Sequence, residues 1–282
     1  MDPRIAEFLL SPWGLLLLGL CIGSFLNVVV HRLPLMLERG WKLESAEMLG
    51  VKVDDSPALS LTHPRSRCPS CGHGIAWYEN IPVLSYLWLR GRCAACKTRI
   101  AARYPLLEIA TGALFAVLGW RFGAAPVVLL WCGFAATLMA LAAIDWDTTL
   151  LPDHLTLPLL WAGLVASALG WTLPLSDALW GAVVGYLSLW TVYWLFKLAT
   201  GKEGMGFGDF KLLAALGAWL GVKMILPIVL GASMIGAVVG LFMKMSGALR
   251  EGRYVPFGPF LAGAGVVVLL AGEARVLRWL GW

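Results

Sequence analysis

Gly204-Met-Gly-Phe-Gly-Asp-Phe-Lys211 runs directly into Leu212-Leu-Ala-Ala-Leu-Gly-Ala-Trp-Leu220, so an aspartate, Asp209, stands at the mouth of an apolar helix. A carboxylate near membrane depth costs about 2.5–3.5 kcal/mol on insertion scales, and a chain keeps one there when its chemistry uses it. A second acidic run, Asp145-Trp-Asp147-Thr-Thr-Leu-Leu-Pro-Asp153, closes another apolar stretch 64 residues upstream. Two helix-end carboxylate clusters in one apolar chain suggest an acid–base pair.

The rest of the chain agrees with a membrane setting. Of 282 residues 59% are hydrophobic and 14% charged, with 15 tryptophans and a mean hydropathy of +0.77; soluble domains carry about 25% charged residues. The composition specifies an all-α polytopic membrane protein. No small-residue cleavage site ends the first apolar run, so that run is read as a spanning helix rather than a removable signal. Apolar stretches long enough to cross a bilayer fall at 9–30, 105–120, 126–144, 155–171, 178–198, 210–222, 225–243 and 257–271, which makes about eight transmembrane helices. The sixth is short and joins the seventh through Gly221-Val-Lys223, a layout that also fits a re-entrant piece.

Basic residues orient these spans. If the first helix runs from outside to inside, the inner loops hold 17 of the 22 lysines and arginines: eleven from Arg32 to Arg103, three from Lys197 to Lys211 and three from Lys244 to Arg253. Both aspartate clusters then lie at the cytoplasmic face. The net charge of +5 is a topology signal in this reading and implies no nucleic-acid partner.

Residues 31–104 form the one long polar segment. It holds Cys68-Pro-Ser-Cys71-Gly and Gly91-Arg-Cys93-Ala-Ala-Cys96-Lys, with 21 residues between Cys71 and Cys93. Two C-x2-C pairs at this spacing match a zinc ribbon, in which four thiolates close a tetrahedron around one structural zinc ion. A reducing compartment disfavours the alternative of two disulfides. Gly72 and Gly91 suit the turns such knuckles need. His63 and His73 flank the first pair and are read as surface histidines, while Cys21 and Cys132 lie inside spans as small apolar fillers.

A metal closed by four sulfurs has no open position for water, so the chemistry falls to the carboxylates. No G-x-S-x-G, H-E-x-x-H or Ser/Lys arrangement competes. Two carboxylates that share a site share a proton: the ionised one takes a proton from a trapped water while the neutral one polarises a scissile carbonyl. Gly206 and Gly208 leave room for an extended substrate backbone beside Asp209. Against this, helix-start aspartates often only cap, a role that fits Asp153, and Asp147 reads as a solvated interfacial residue. The residues alone leave Asp145, Asp147 and Asp153 open as partners for Asp209.

The chain resembles the type IV prepilin peptidases, bifunctional leader peptidases and N-methyltransferases of the GxGD aspartic-protease class. The likeness runs through Gly23-Ser-Phe-Leu-Asn27-Val-Val-Val-His-Arg-Leu-Pro34, the two cysteine pairs, Arg103-Tyr-Pro-Leu-Leu-Glu108, Asp145 to Asp153 and Gly204 to Lys211. It implies that Asp145 and Asp209 are the catalytic pair, with Gly206, Gly208 and Lys211 supporting the site. It implies that Cys68, Cys71, Cys93 and Cys96 bind zinc, and that Gly91 is linked to methyl transfer. The implied substrates are prepilins and pseudopilins, held in the lipid bilayer and cut after a glycine on the cytoplasmic side of a bacterial inner membrane. The new amino terminus is then methylated with S-adenosylmethionine. On this reading residues 1–30 are a first transmembrane helix, 31–104 a cytoplasmic zinc-binding domain and 105–282 the peptidase core. No Gly-rich dinucleotide loop is present to hold the methyl donor. Two rival readings are a GxGD intramembrane protease without methylase activity and a zinc-regulated ion- or proton-coupled transporter; the sequence lacks the internal repeats a transporter would show.

Overall fold

The computed structural model describes residues 3–51, 59–247 and 255–281. They form eleven α-helices: α1 (Pro3–Leu10), α2 (Pro12–Leu49), α3 (Leu84–Trp88), α4 (Arg103–Phe122), α5 (Val128–Thr148), α6 (Asp153–Ala168), α7 (Leu175–Thr200), α8 (Phe207–Leu220), α9 (Ile225–Met245), α10 (Gly258–Ala271) and α11 (Glu273–Trp279). Among the described residues the only extended pairings are two isolated bridges, Arg67–Gly74 and Arg92–Arg99. The chain is an all-α polytopic membrane protein, in two compact units, Met1–Ala136 and Thr137–Trp282.

Each of the eight expected spans falls on a helix, but fewer than eight are of full length. Among the described residues five helices are long and apolar enough to cross a membrane, or six if α10 and α11, bent by 108° at Gly272, count as one broken span. The shortfall lies in α6, with 16 residues, and in α8 and α10, with 14 each. At 1.5 Å per residue these reach only about 21–24 Å, against a hydrocarbon core of about 30 Å.

In the first unit α2 does not stop near residue 30. It continues as one helix of 38 residues, about 57 Å long. Past Val30 the composition turns polar but stays rich in helix formers: Leu35, Met36, Leu37, Glu38 and Arg39, then Lys42 to Leu49. Gly50 ends the helix in the left-handed region (φ 63°), with Gly50 N–H donating to Glu47 O at 3.2 Å and Val51 N–H to Ala46 O at 3.0 Å. Small residues let α4 lie directly on α2: a Cβ at Gly23 would come within 2.7 Å of Glu108 Cα. Buried Arg32 reaches out of α2 and donates to Ser60 O at 2.8 Å and Pro64 O at 2.7 Å, which fixes the chain on its way to the first cysteine pair.

In the second unit α8 is the hub. Ten of its fourteen residues are buried, and α6, α7 and α10 all pack on it. Gly185 of α7 sits so close that a Cβ there would lie 2.6 Å from Leu213 O. Trp219 Nε1 of α8 donates to Leu159 O of α6 at 2.8 Å in the buried interior. Gly221 (φ 86°) then breaks the chain, one short 3-10 turn follows, and α9 begins, which accounts for the weak separation of the sixth and seventh spans in the sequence.

Candidate active site and metal centre

Asp145 lies on the last turn of α5. The helix ends three residues later: Thr149 takes a positive φ of 54°, and its N–H donates to Asp145 O at 2.8 Å. The chain passes Leu150 and Leu151 to Pro152, the N-cap of α6. Asp209 is the third residue of α8, behind the extended N-cap Gly206 (φ −83°, ψ 153°). Both carboxylates are buried, Asp145 at 5% and Asp209 at 7% exposure, and Leu151 packs against the surroundings of both. A Cβ at Gly208, next to Asp209, would lie 2.7 Å from Leu151 Cβ, and one at Gly258 would lie 2.6 Å from Asp145 Oδ2 and 3.1 Å from Leu151 Cδ2. The fold thus brings these two acids together from helices far apart in sequence.

Each also meets a helix N-terminus, where backbone N–H groups lack intrahelical partners and favour negative charge, although Asp145 itself lies on the last, negative turn of α5. Asp209 is in the first turn of its own helix. Asp145 Oδ2 accepts from Gly258 N–H, the first residue of α10, at 3.0 Å. Asp209 Oδ1 is buried without a hydrogen-bond partner among the described residues. Buried polar atoms are nearly always paired, and no described residue supplies the partner for this one.

The other two upstream acids part from this pair. Asp147 is exposed. Asp153, at the start of α6, is half-exposed, and both its oxygens accept from Lys211 Nζ at 2.7 Å. Lys211 therefore ties the first turn of α8 to the first turn of α6. The two glycines before Asp209 differ in surroundings. A Cβ at Gly206 would have no neighbour nearer than 3.9 Å and would point toward Asp209 Oδ2, whereas one at Gly208 would strike Leu151 Cβ at 2.7 Å. Open space beside the carboxylate thus belongs to Gly206, and Gly208 serves close packing. Sequence reasoning did not single out Leu151 or Gly258. Leu151 was visible only as part of the run Asp145 to Asp153, and Gly258 only in Pro256-Phe257-Gly258-Pro259, a glycine near two prolines at the entrance of the last apolar stretch.

In the first unit the four cysteines converge. The sulfurs of Cys68, Cys71, Cys93 and Cys96 lie within 4.8 Å of one another, with Cys68 and Cys96 at 3.7 Å. A tetrahedral metal at about 2.3 Å from each sulfur requires sulfur–sulfur edges of about 3.8 Å, so the donor set can close around one metal ion with sulfur shifts of no more than about 1 Å. The two knuckles share one plan. In each, the residue before the first cysteine bridges to the one seven further on. The N–H of the first cysteine is bound by a carbonyl five residues ahead: Cys68 N–H donates to His73 O and Cys93 N–H to Thr98 O, both at 2.9 Å. The left-handed position is Gly72 (φ 72°) in the first knuckle but Lys97 (φ 60°) in the second. Hydrogen bonds from the Thr98 hydroxyl and backbone pull the Cys96 thiol down to about 6. His73 is engaged elsewhere: its Nε2 lies 3.1 Å from Glu79 Oε2. Together with the Ala76 N–H, the stronger influence, it holds the Glu79 carboxyl below its usual range. Cys21 and Cys132 remain outside the cluster.

Gly91 belongs to a turn of its own, beside the second knuckle rather than within it. It has φ 66°; its N–H donates to Tyr86 O and its carbonyl accepts from Ile100 N–H, both at 2.8 Å. A Cβ there would lie 2.8 Å from Tyr86 Oη. Glu108, buried at the start of α4, accepts from Val83 N–H at 2.8 Å and so holds the turn at Val83 (φ 61°) that leads into α3 and Tyr86.

These features define an all-helical membrane protein with a buried pair of carboxylates and a four-thiolate metal site. Comparison with known proteins gives the family. A model of the bacterial peptidase A24 N-terminal domain matches residues 17–122, and the type IV leader peptidase family matches residues 132–241. The chain is 54% identical over 256 residues to a prepilin leader peptidase/N-methyltransferase of Pseudomonas putida, covering 91% of this chain and 89% of the relative. It is 52% identical over 270 residues to proteins of the same name in Stutzerimonas stutzeri and Pseudomonas aeruginosa, covering 94% of this chain and 92% of each relative. No solved structure matches. The chain belongs to the type IV leader peptidase family.

Proposed function

We propose that this protein removes the leader from prepilins and pseudopilins and then methylates the exposed amino terminus, with Asp145 and Asp209 as the peptidase pair. Leader cleavage and N-methylation are the activities of the family to which the chain belongs. The observation that carries the assignment to these two acids is their joint burial with one oxygen of Asp209 unpartnered, whereas Asp147 is exposed and Asp153 is ion-paired.

In hydrolysis, one carboxylate of the pair accepts a proton from water as the oxygen attacks the scissile carbonyl, and the neutral partner donates its proton to the carbonyl oxygen. Collapse of the tetrahedral intermediate breaks the C–N bond, and the departing amine takes up a proton. Burial among apolar side chains excludes competing water, and the helix N-termini behind both acids are pre-oriented dipoles that need no rearrangement during reaction. Gly206, with no side chain beside Asp209, leaves the approach open to a substrate backbone.

Cys68, Cys71, Cys93 and Cys96 would hold one zinc ion, which would pin the two cysteine knuckles together and take no part in hydrolysis, since four sulfurs fill its coordination. S-adenosylmethionine, the implied methyl donor, would supply an electrophilic methyl group, its sulfonium C–S bond breaking with the electron pair left on sulfur while the amine nitrogen gains the methyl and gives up a proton. Gly91, locked against Tyr86, is the residue of that half-reaction that the family resemblance names. The excess of lysine and arginine on one side supports placement of both aspartates and the zinc segment at the cytoplasmic face of the inner membrane.

The test is cleavage of a prepilin by the purified protein in detergent, read by product mass. Cleavage after the leader glycine with a mass gain of one methyl group, lost in Asp145→Asn and Asp209→Asn but not in Asp147→Asn, is the expected result. Cleavage by the Asp209→Asn protein would overturn the assignment of the pair.

A further inference from the structure

Resting on that reading of the carboxylate pair, we infer that Gly258 and Leu151 are positioning residues for cleavage: the Gly258 backbone anchors Asp145, and the Leu151 side chain sets the spacing between the turns that carry the two acids. Neither is a catalytic residue, since both act through Asp145 and Asp209.

Three observations converge on this clamp. Gly258 N–H donates to Asp145 Oδ2 at 3.0 Å, which ties the end of α5 to the start of α10 across 113 residues of chain. The approach requires glycine: an added Cβ would lie 2.6 Å from Asp145 Oδ2 and 3.1 Å from Leu151 Cδ2. Leu151 faces Gly208 with its other side, where a Cβ on that glycine would lie 2.7 Å from Leu151 Cβ. One buried leucine thus fills the space between glycines on two helices, and each glycine is tied to one of the acids. Gly208 immediately precedes Asp209, while Gly258 is bonded to Asp145. Pro259, next in line, brings no N–H of its own and a backbone angle suited to a first helical turn, so the Gly258 amide is the free donor at that helix end.

The geometry of two acids that share one proton and one water is sensitive to small shifts, because misplacement of a reacting group by 1 Å can cost about 100-fold in rate. A methyl group at Gly258 has to displace Asp145, Leu151 or α10 by a comparable amount. Loss of the Leu151 side chain removes the spacer without touching either carboxylate. Replacement by methionine, of similar volume, retains the spacer.

The experiment compares prepilin cleavage by the full-length enzyme and its Gly258→Ala, Leu151→Ala, Leu151→Met and Gly263→Ala variants in detergent, alongside methylation of a synthetic pilin peptide that already lacks its leader. Gly263, on the same helix, has nothing within 4 Å of its would-be Cβ and serves as the control. The expected result is a fall in kcat of about 100-fold at unchanged KM for Gly258→Ala and Leu151→Ala, near-normal cleavage by Leu151→Met and Gly263→Ala, and methylation of the pre-cut peptide retained throughout. Unchanged kcat in Gly258→Ala would overturn the inference; so would a loss shared equally by cleavage and methylation. Should Gly258→Ala fail to fold, Leu151→Ala decides alone by the same criteria. Absence of prepilin cleavage by the unaltered enzyme would instead refute the proposed function.

Discussion

Replacement of Gly185 by alanine tests how far the peptidase site depends on the packing of α8. Gly185 lies on α7 against Leu213, one turn beyond Asp209. An added Cβ would stand 2.6 Å from Leu213 O, 3.0 Å from Leu213 C and 3.2 Å from Ala214 Cα. Carbon atoms in contact settle at about 3.5–4.0 Å, so relief of the carbon contact alone requires the two backbones to part by about 0.5–1 Å. Overpacking of this kind costs about 1–3 kcal/mol. A shift of that size one turn from Asp209 also lowers kcat about 10- to 100-fold. Thermal unfolding in detergent and prepilin cleavage would be measured on the same preparation, beside Gly263→Ala as the uncrowded control. A Gly185→Ala enzyme with unaltered melting and unaltered kcat would refute the argument that α8 is held in place by direct backbone contact with α7.

Asp145→Asn and Asp209→Asn should each lower cleavage by at least about 100- to 10,000-fold, the usual contribution of a positioned acid or base, with zinc content unchanged by elemental analysis. Because the pair works in one ionised and one neutral state, kcat/KM should follow a bell-shaped pH profile, checked by initial rates across the acid and neutral range; a flat profile would speak against a shared proton. Asp153→Asn removes a part-exposed ion pair with Lys211, which is worth no more than about 1 kcal/mol, so melting should move little, while kcat should fall less than in either member of the pair. Serine at Cys93, the buried member of the thiol cluster, should abolish stoichiometric metal binding. In the unaltered protein acidification should release the ion, because only thiolates ligate it.

How much of this was legible in the sequence depends on where the physics is local. Apolar runs specified helices at all eight expected places because burial in lipid demands that every backbone group be satisfied within the segment. The cysteine spacing specified a four-sulfur cluster because two knuckles of fixed size leave little freedom. Helix length was less legible. The polar residues after Val30 suggested a helix end, yet α2 continues to Leu49, since loss of apolar character does not end a run of good helix formers; Gly50 does. The shortness of α8, by contrast, was visible in its apolar run, and Gly221 does stop it at fourteen residues. Asp209 could be singled out from its glycine-rich approach, whereas its partner could not be chosen from the residues alone. What separates Asp145 from Asp147 and Asp153 is burial and the bond from Gly258, and these are long-range facts. The second knuckle held a smaller surprise: Gly91, expected to shape it, belongs to a neighbouring turn, and Lys97 takes the left-handed position.

The shortness and burial of α8 bear on how the enzyme is made. A helix of about 21 Å with a carboxylate in its first turn gains little from lipid on its own account, and ten of its residues are covered by other helices rather than by acyl chains. Its place in the bilayer is therefore secured by neighbours synthesised both before it, α6 and α7, and after it, α10. Asp145 gains its amide donor, Gly258, only when α10 has been made, so on the proposed assignment a growing chain that already carries both aspartates still lacks the backbone anchor of one of them.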